Sequence, residues 1–282
     1  MHLAMTRTAL ATVLLGLPAL AGPVGYAQAT GYFKKDTRPT LYQPLNLLDG
    51  RDATAWCTTG SDPLNDQLVF GFKGSARIEE VRITTGNNFD ENTFKDFARA
   101  HKFELKGLRD GRKFTVADQR GVQTVPLNPP LEASRVTLEV LDVYPADDPE
   151  ASVCITDVVF ISDGKPLNGP WMAPKLKYDK SMQPLLGTWF AGYDGAPDRF
   201  LNFFYDGTWR YSYEPFDQGK DKPKELTGSY DATPTRLTLD IPGKGKVSVK
   251  VSRDKAKGDK GFVLNLEGDL PPELKGTFRS QP

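Results

Sequence analysis

The stretch HKFELKGLRDGRKFTVAD, residues 101–118, decides the fold class of this chain. Two strand-like runs flank the pair Asp110-Gly111. Asp-Gly suits the positive φ angles that tight hairpin turns require, so the stretch predicts a β-hairpin.

Residues 40–163 continue in the same way, as short strands separated by turns. Alternating apolar positions predict three further strands with a buried face. The last strand, CITDVVFIS, places Asp157 in an apolar stripe, either as an edge or satisfied buried acid or as a ligand. The predicted buried positions are Val81 and Ile83; Val136, Leu138 and Val140; and Ile155, Val159 and Ile161.

The C-terminal part predicts a second all-β domain. Residues 165–184 contain four prolines and little periodicity, which indicates a linker that packs through Trp171 and Met172. Residues 185–282 begin again with strands, and Asp206-Gly207 marks another strong hairpin. Seven or eight strands in up-and-down meander order within about a hundred residues favour a small closed or nearly closed barrel.

The first residues predict an export signal at 1–29. Arg7 gives a positive start, ALATVLLGLPALAG gives a short apolar core, and Ala27 and Ala29 give small residues at a cleavage site. The apolar run is too short and interrupted for a membrane-spanning helix, and no cysteine offers a lipid anchor. We therefore expect a secreted or periplasmic protein whose mature form begins at Thr30.

Composition argues against several functional classes among the 282 residues. Lys+Arg and Asp+Glu both number 36, and this balance does not favour a nucleic-acid partner. His2 and His101 are the two histidines, too few for an imidazole-rich zinc site, and no G-x-S-x-G or phosphate loop is present. A carbohydrate-active enzyme with paired carboxylates stays as a third hypothesis, but we predict a non-enzymatic protein.

Export changes what the two cysteines, Cys57 and Cys154, predict. In an oxidising compartment they favour one disulfide bond. The alternative is two separate buried thiols.

Four motifs, in this order, resemble the discoidin-like (coagulation factor 5/8 type C) domains. The resemblance covers about residues 40–163, and we delimit the domain as 38–164. It is nearest to the NADase-type glycan-binding branch, found beside streptococcal NAD glycohydrolase. The motifs are YQPLNLLDGRDATAWC (42–57), IEEVRITTGNN (78–88), RAHKFELKGLRDGRKF (99–114) and VTLEVLDVYPADDPEASVCITDVVF (136–160).

The resemblance implies a jelly-roll β-sandwich whose two ends lie side by side, which fits a Cys57–Cys154 bridge. It also implies a calcium ion held by the loop after Asp49 and by the last strand. Asp49, Asp52, Thr54 and Asp157 can supply part of such an oxygen shell. The alternative is an Asx-turn that pins the loop without any metal.

The resemblance further implies that glycans, or a cell-surface polysaccharide, bind at loops 58–66, 86–99 and 144–152. An aromatic ring stacks on a sugar, and amide, carboxylate or guanidinium groups bond its hydroxyls. Phe97 is expected instead to close the end of the sandwich. The predicted ligand residues are Asn88, Phe89, Asn92, Arg99 and Asp147.

Residues 185–282 are only vaguely similar to lipocalin-like barrels, through LLGTWFAGYDG (185–195) and the hairpin after it. This likeness gives the alternative function, a carrier or inhibitor whose barrel binds an apolar ligand or a partner protein. The aromatics of FLNFFYDGTWRYSY (200–213) are also what a filled barrel core contains.

Overall fold

A computed structural model describes residues 22–175, 185–192, 198–215, 224–233, 235–255 and 262–280. It contains a β-sandwich followed by a closed β-barrel, which confirms the predicted all-β fold. Residues 1–21 of the predicted signal and 176–184 of the predicted linker lie outside the described residues.

The sandwich sheet has the strand order β1-β3-β6-β4-β7-β2, with β5 beside β4 and β8 beside β7. The long strand β3 pairs with both β6 and β7, so it joins the two layers. One α-helix, α1 (Glu91–Asp96), precedes β4, and short 3-10 turns span Pro44–Leu48, Pro63–Asn65 and Pro170–Lys175. The strands are Val24–Ala29 (β1), Trp56–Cys57 (β2), Leu68–Thr85 (β3), Ala98–Lys106 (β4), Gly111–Thr115 (β5), Gln123–Tyr144 (β6), Val153–Ser162 (β7) and Lys165–Pro166 (β8).

The predicted hairpin at 101–118 is present as β4 and β5, but its turn differs from the prediction. Gly111 is the first residue of β5 and pairs with Lys106. Gly107 donates its N–H to the carbonyl of Asp110, 2.7 Å away, so the residues at the tip of the turn are Leu108 and Arg109, two positions earlier than predicted. Asp110 closes this turn, and the glycine that follows it begins the return strand.

The predicted buried faces are confirmed for two strands and are incomplete for the third. Val81 and Ile83 on β3 are fully buried. On β7 the predicted Val159 is only half-buried, whereas Val158 and Phe160 on the opposite face are fully buried, so both faces of the strand are covered. A strand covered on both sides has lost its alternation, so period two alone cannot define its core face.

The sandwich begins earlier than the predicted boundary at residue 38. Strand β1, Val24–Ala29, pairs antiparallel with β3, and Val24 and Tyr26 are buried in the sandwich core. The predicted cleavage after Ala29 would remove this strand. The small residues that suggested a cleavage site are therefore part of the folded domain.

The start of the predicted linker packs on the sandwich. Met172 is completely buried and belongs to the sandwich core, whereas Trp171 is 44% exposed. Asn168 accepts an N–H from Phe160 at 3.0 Å and donates to the carbonyl of Val158. Residues 165–172 thus extend the domain rather than leave it.

The second domain is a closed barrel of eight described strands in which each strand pairs with its neighbours along the chain and β16 closes on β9. This confirms the predicted up-and-down order. Asp206-Gly207 forms the predicted hairpin turn, and Gly207 has a φ of 77°. The strands are Gly187–Ala191 (β9), Asp198–Phe203 (β10), Thr208–Glu214 (β11), Lys224–Ala232 (β12), Arg236–Ile241 (β13), Gly245–Lys255 (β14), Phe262–Glu267 (β15) and Gly276–Ser280 (β16).

Large side chains fill the barrel. Phe203, Trp209, Tyr211 and Phe278 are all almost completely buried there. A 3-10 turn at Pro272–Leu274 adds another buried leucine. Of the aromatics of 200–213, Phe203, Trp209 and Tyr211 are thus barrel-core residues, while a carrier or inhibitor role for the barrel stays a prediction.

Candidate functional site at the loop end of the sandwich

The Cys57–Cys154 disulfide is present and joins β2 to β7, where the two residues pair directly. Trp56 beside it is fully buried. A second link crosses the same point, because the Thr58 hydroxyl accepts the N–H of Val153 at 2.8 Å. A disulfide and a hydrogen bond therefore both tie β2 to β7 at this end of the sandwich.

The loop after β3 is anchored by Asn88. Its side chain is 3% exposed and donates to the Thr85 carbonyl at 2.6 Å. The Asn88 oxygen accepts the N–H of Gly121 at 3.0 Å, and its backbone N–H bonds the Thr156 hydroxyl. These bonds favour a supporting role for Asn88, and its assignment as a ligand residue stays a prediction.

Phe89 projects from this anchored loop with 61% of its surface exposed. Helix α1 starts directly after it, capped by reciprocal bonds between Asp90 and Thr93. Asn92 lies exposed in the first turn of that helix. The loop therefore carries an exposed aromatic ring, and the first helical turn that follows carries an exposed amide.

Arg99 fastens the neighbouring loops together. Its guanidinium makes two bonds to the Asp118 carboxylate, at 2.9 and 2.8 Å, and donates to the Pro145 carbonyl at 2.8 Å. The Arg99 side chain is 12% exposed, and its guanidinium lies 5.4 Å from the centre of the Phe94 ring. Most of the Arg99 donors are thus used within the domain.

Asp147, on the 144–152 loop, is exposed and lies close enough to α1 to raise the pKa of Lys95. That pKa is raised mainly by the ion pair of Lys95 with Glu91.

Phe97 closes this end of the domain in a cluster of three half-buried rings. Its ring centre lies 6.2 Å from that of Phe33 and 5.8 Å from that of Tyr42. The cluster packs on the disulfide. This is the packing role predicted for Phe97, with two partners from residues 33–42 that the sequence did not associate with the loops.

The stretch at 49–54 forms the side-chain turn that was the alternative to a metal loop. Asp49 accepts the N–H of Arg51 at 3.0 Å and the Thr54 hydroxyl at 2.9 Å. Burial raises the pKa of the Asp49 carboxyl, and these bonds oppose the rise. Asp52 is exposed beside the turn.

Asp157 faces this turn from β7. Its Oδ1 atom is buried without a hydrogen-bond partner. Burial, followed by the negative charge of Asp49, raises the pKa of Asp157 to about 7. Within the described part of the chain, no three or more His, Cys, Asp or Glu side chains form a group able to hold a metal ion.

A comparison with protein families matches residues 22–161 to the NAD glycohydrolase translocation F5/8 type C domain. This segment is a discoidin-like F5/8 type C domain. The match begins at Gly22, so it includes β1, as the structure does. No curated protein matches the chain.

Several solved structures similar to this chain contain carbohydrate-binding modules. The family 32 module of AlyQ, in complex with 4,5-unsaturated mannuronic acid, has 11% identity, covers 51% of this chain and 98% of its own, and has a TM-score of 0.37. The family 32 module of NanJ from C. perfringens, in complex with galactose, has 21% identity, 48% and 91% coverage, and a TM-score of 0.32. The arabinofuranosyltransferase AftD from Mycobacteria has 13% identity, 88% and 21% coverage, and a TM-score of 0.43.

The fold of the F5/8 type C domain also places Arg120 at the candidate site, and the sequence analysis did not predict this residue. Arg120 is exposed and donates to the Asn88 carbonyl at 2.8 Å, so it stands beside the Phe89 loop. It comes from the β5–β6 connection, more than thirty residues further along the chain. Alternation and turn patterns carry no signal for that proximity.

His101 lies on β4 of the F5/8 type C domain. Its Nδ1 is 3.1 Å from the Asp142 carboxylate, and its ring packs on Tyr144. The His101 side chain is half-buried at the surface of the strand. In the described residues, no helix is long and apolar enough to cross a membrane.

Proposed function

We propose that the F5/8 type C domain is a non-catalytic glycan-binding domain whose ligand lies against Phe89. The observation that carries this proposal is an aromatic side chain 61% exposed at the tip of a loop whose neighbouring residues are hydrogen-bonded in place. Exposing a large apolar ring to water is unfavourable, and a fixed backbone adds no ordering cost when a ligand covers it.

The residues around Phe89 supply the polar half of a sugar site. Asn92 offers both a donor and an acceptor, Arg120 offers donors, and Asp147 offers acceptors for hydroxyl groups. Asn88 and Arg99 hold the loops that carry these groups. Such a mixture binds neutral or weakly charged sugars, because charges of both signs surround the ring.

The Phe89→Ala variant is expected to bind glycans at least ten-fold more weakly than the native protein. Loss of a stacking ring removes about 1.5–3 kcal/mol of apolar burial, and 1.4 kcal/mol is one factor of ten in affinity. A glycan array identifies the ligand, and calorimetry then gives the dissociation constants.

The matched control is Leu108→Ala. Leu108 is 91% exposed in the β4–β5 turn, at the end of β4 opposite to Phe89, and its replacement should leave affinity unchanged. An equal loss of glycan affinity in the two variants would point to non-specific binding through exposed apolar side chains. No binding of the native protein to any glycan would exclude the proposed function.

We further propose that calcium binds between Asp49 and Asp157. The buried, unpartnered Oδ1 of Asp157 and the adjacent Asp49 carboxylate fit a cation that removes their repulsion. Thr54 and backbone carbonyls would have to complete the six to eight oxygens that calcium takes. Two carboxylates and a hydroxyl are a partial shell, so weak binding is expected.

Asp157 makes stability depend on pH when a chelator is present. Its native pKa of about 7 is above its ordinary value of 3.8, so the native state holds the proton more tightly than the unfolded state. The contribution of Asp157 to the free energy of unfolding is fully present below about pH 4. It is lost as the pH rises to about 7, which lowers the free energy of unfolding by about 2–4 kcal/mol. Urea unfolding from pH 4 to 8 measures the fall.

The control is Asp157→Asn, which cannot ionise and should show no such fall. At pH 8 with chelator it is expected to be more stable than the native protein. Millimolar calcium should raise the melting temperature of the native protein and leave that of Asp157→Asn unchanged. An equal response of both proteins to calcium would place the ion elsewhere.

Export belongs to the same proposal, with a corrected cleavage site. Since Val24–Ala29 is a strand of the domain, cleavage has to precede it. Ala19 and Ala21 give the small-x-small pattern directly before Gly22. The mass of the exported protein should correspond to a first residue at Gly22, and a first residue at Thr30 would contradict this.

A further inference from the structure

The sandwich presents a row of three residues to the barrel. Tyr26 on β1 pairs with Gly71 on β3, and Gly71 pairs with Arg135 on β6. The Tyr26 ring lies over Gly71, because a Cβ atom there would come within 2.1 Å of the ring. The Tyr26 hydroxyl therefore crosses β3 toward Arg135.

The barrel presents a matching row. Thr188 on β9 pairs with Asn202 on β10, and Asn202 pairs with Arg210 on β11. Arg210 faces outward, since Trp209 and Tyr211 on either side of it fill the barrel core. The two rows meet where the Tyr26 hydroxyl lies 2.8 Å from the Thr188 hydroxyl.

The positive charges of two arginines, one from each domain, thus act on the same tyrosine hydroxyl at the junction of the domains. Burial raises the pKa of the Tyr26 hydroxyl, and the positive charges of both Arg135 and Arg210 oppose the rise. Arg210 Nη1 lies 3.4 Å from the Lys73 carbonyl, and Lys73 itself is ion-paired with Asp206. In the described ranges, neither arginine is ion-paired to a carboxylate.

Each guanidinium also keeps a buried donor without an acceptor, namely Arg135 Nη1 and Arg210 Nε. A buried donor on a charged group that bonds nothing is costly, and two cations that both act on the Tyr26 hydroxyl without a carboxylate partner add to that cost. An anion with several oxygens would satisfy both donors and neutralise the excess charge. Guanidinium groups are well shaped for such ligands.

We propose that Arg135 and Arg210 together bind a small inorganic oxyanion, of the sulfate or phosphate class, between the sandwich and the barrel. The free nitrogens are buried, so a compact ion reaches them and a polymer does not. The site is separate from the loop end, and it does not depend on glycan binding. A bound ion would also join the two domains.

Calorimetric titration of the whole protein with sulfate, in chloride buffer of constant ionic strength, tests the proposal. Saturable binding of one ion per chain is expected. Arg135→Gln and Arg210→Gln should each weaken it at least ten-fold. Arg236→Gln, which alters an exposed arginine at the start of β13, should leave it unchanged.

Absence of saturable sulfate and phosphate binding to the native protein would overturn the proposal, whatever the variants do. Equal binding by the Arg135→Gln/Arg210→Gln double variant would also overturn it. Selenate soaked into crystals of the native protein gives a readout that does not depend on variant folding. Its anomalous signal should lie between the two guanidiniums, and a signal elsewhere would refute the assignment.

Discussion

A chain that begins at Thr30 is expected to lose the folded sandwich, whereas a chain that begins at Gly22 should keep it. Val24 is fully buried, and Tyr26 and Ala27 are 2% and 3% exposed. Removing them exposes their neighbours and leaves the β3 edge unpaired. Burial of Val24 and Tyr26 alone contributes about 3–6 kcal/mol, which is comparable with the whole stability of a small domain.

The loss should reach the barrel, because β1 contacts both domains. Gly25 accepts the N–H of Tyr205 at 2.9 Å, and Gln28 donates to the Leu186 carbonyl. Near-ultraviolet circular dichroism and urea unfolding of the two chains measure the effect. The Gly22 chain is the matched control, since it differs by eight residues of mature sequence. Coincident unfolding curves would show that β1 contributes little.

There is a physical reason why the sequence pattern did not predict β1. VGYAQA follows an apolar stretch, and its small residues have the spacing of a cleavage site. The strand also needs a small residue at a crowded edge, because a Cβ on Gly25 would come within 2.4 Å of the Phe204 ring, which follows β10. Small residues occur both at signal-peptidase cleavage sites and at tight interfaces between domains, and only the tertiary contacts show which of the two applies.

The strands were accessible from sequence because alternation and turn residues act locally. The Asp206-Gly207 hairpin and the buried positions Val136 and Leu138 follow from such patterns alone. The asymmetry between Phe89 and Asn88 does not. Both were plausible ligands by residue type, yet one is exposed and the other uses its amide inside the loop.

The junction between domains was wholly outside what the sequence could give. Arg135 and Arg210 stand in separate domains, and each is an ordinary strand residue by its local pattern. Their shared neighbour Tyr26 comes from the strand that was assigned to the signal. Sites built by packing two domains depend on register and orientation, which no short motif encodes.

Replacement of both Cys57 and Cys154 by alanine is expected to lower the free energy of unfolding by about 4–5 kcal/mol. The bridge closes a loop with a sequence separation of 97, and in the chain-entropy model such a loop restricts the unfolded state by about that amount. The loss of stability is expected at the loop end of the sandwich, because the rings of Phe33, Tyr42 and Phe97 pack against the disulfide there. Urea unfolding of the native and variant proteins gives the difference.

Reduction of the native protein with dithiothreitol is the control, since it breaks the bridge without removing the sulfur atoms. Reduced native protein and the double variant should unfold at similar urea concentrations, which would assign the loss to the bond itself. A variant within about 1 kcal/mol of the native protein would mean that the Thr58–Val153 link and the aromatic cluster hold this end unaided. Glycan binding by the folded variant should then persist, because the Phe89 loop is anchored through Asn88 to Thr85, Thr156 and Gly121. Its bond to residue 154, from the Gly86 N–H to the Cys154 carbonyl, uses backbone atoms that an alanine keeps.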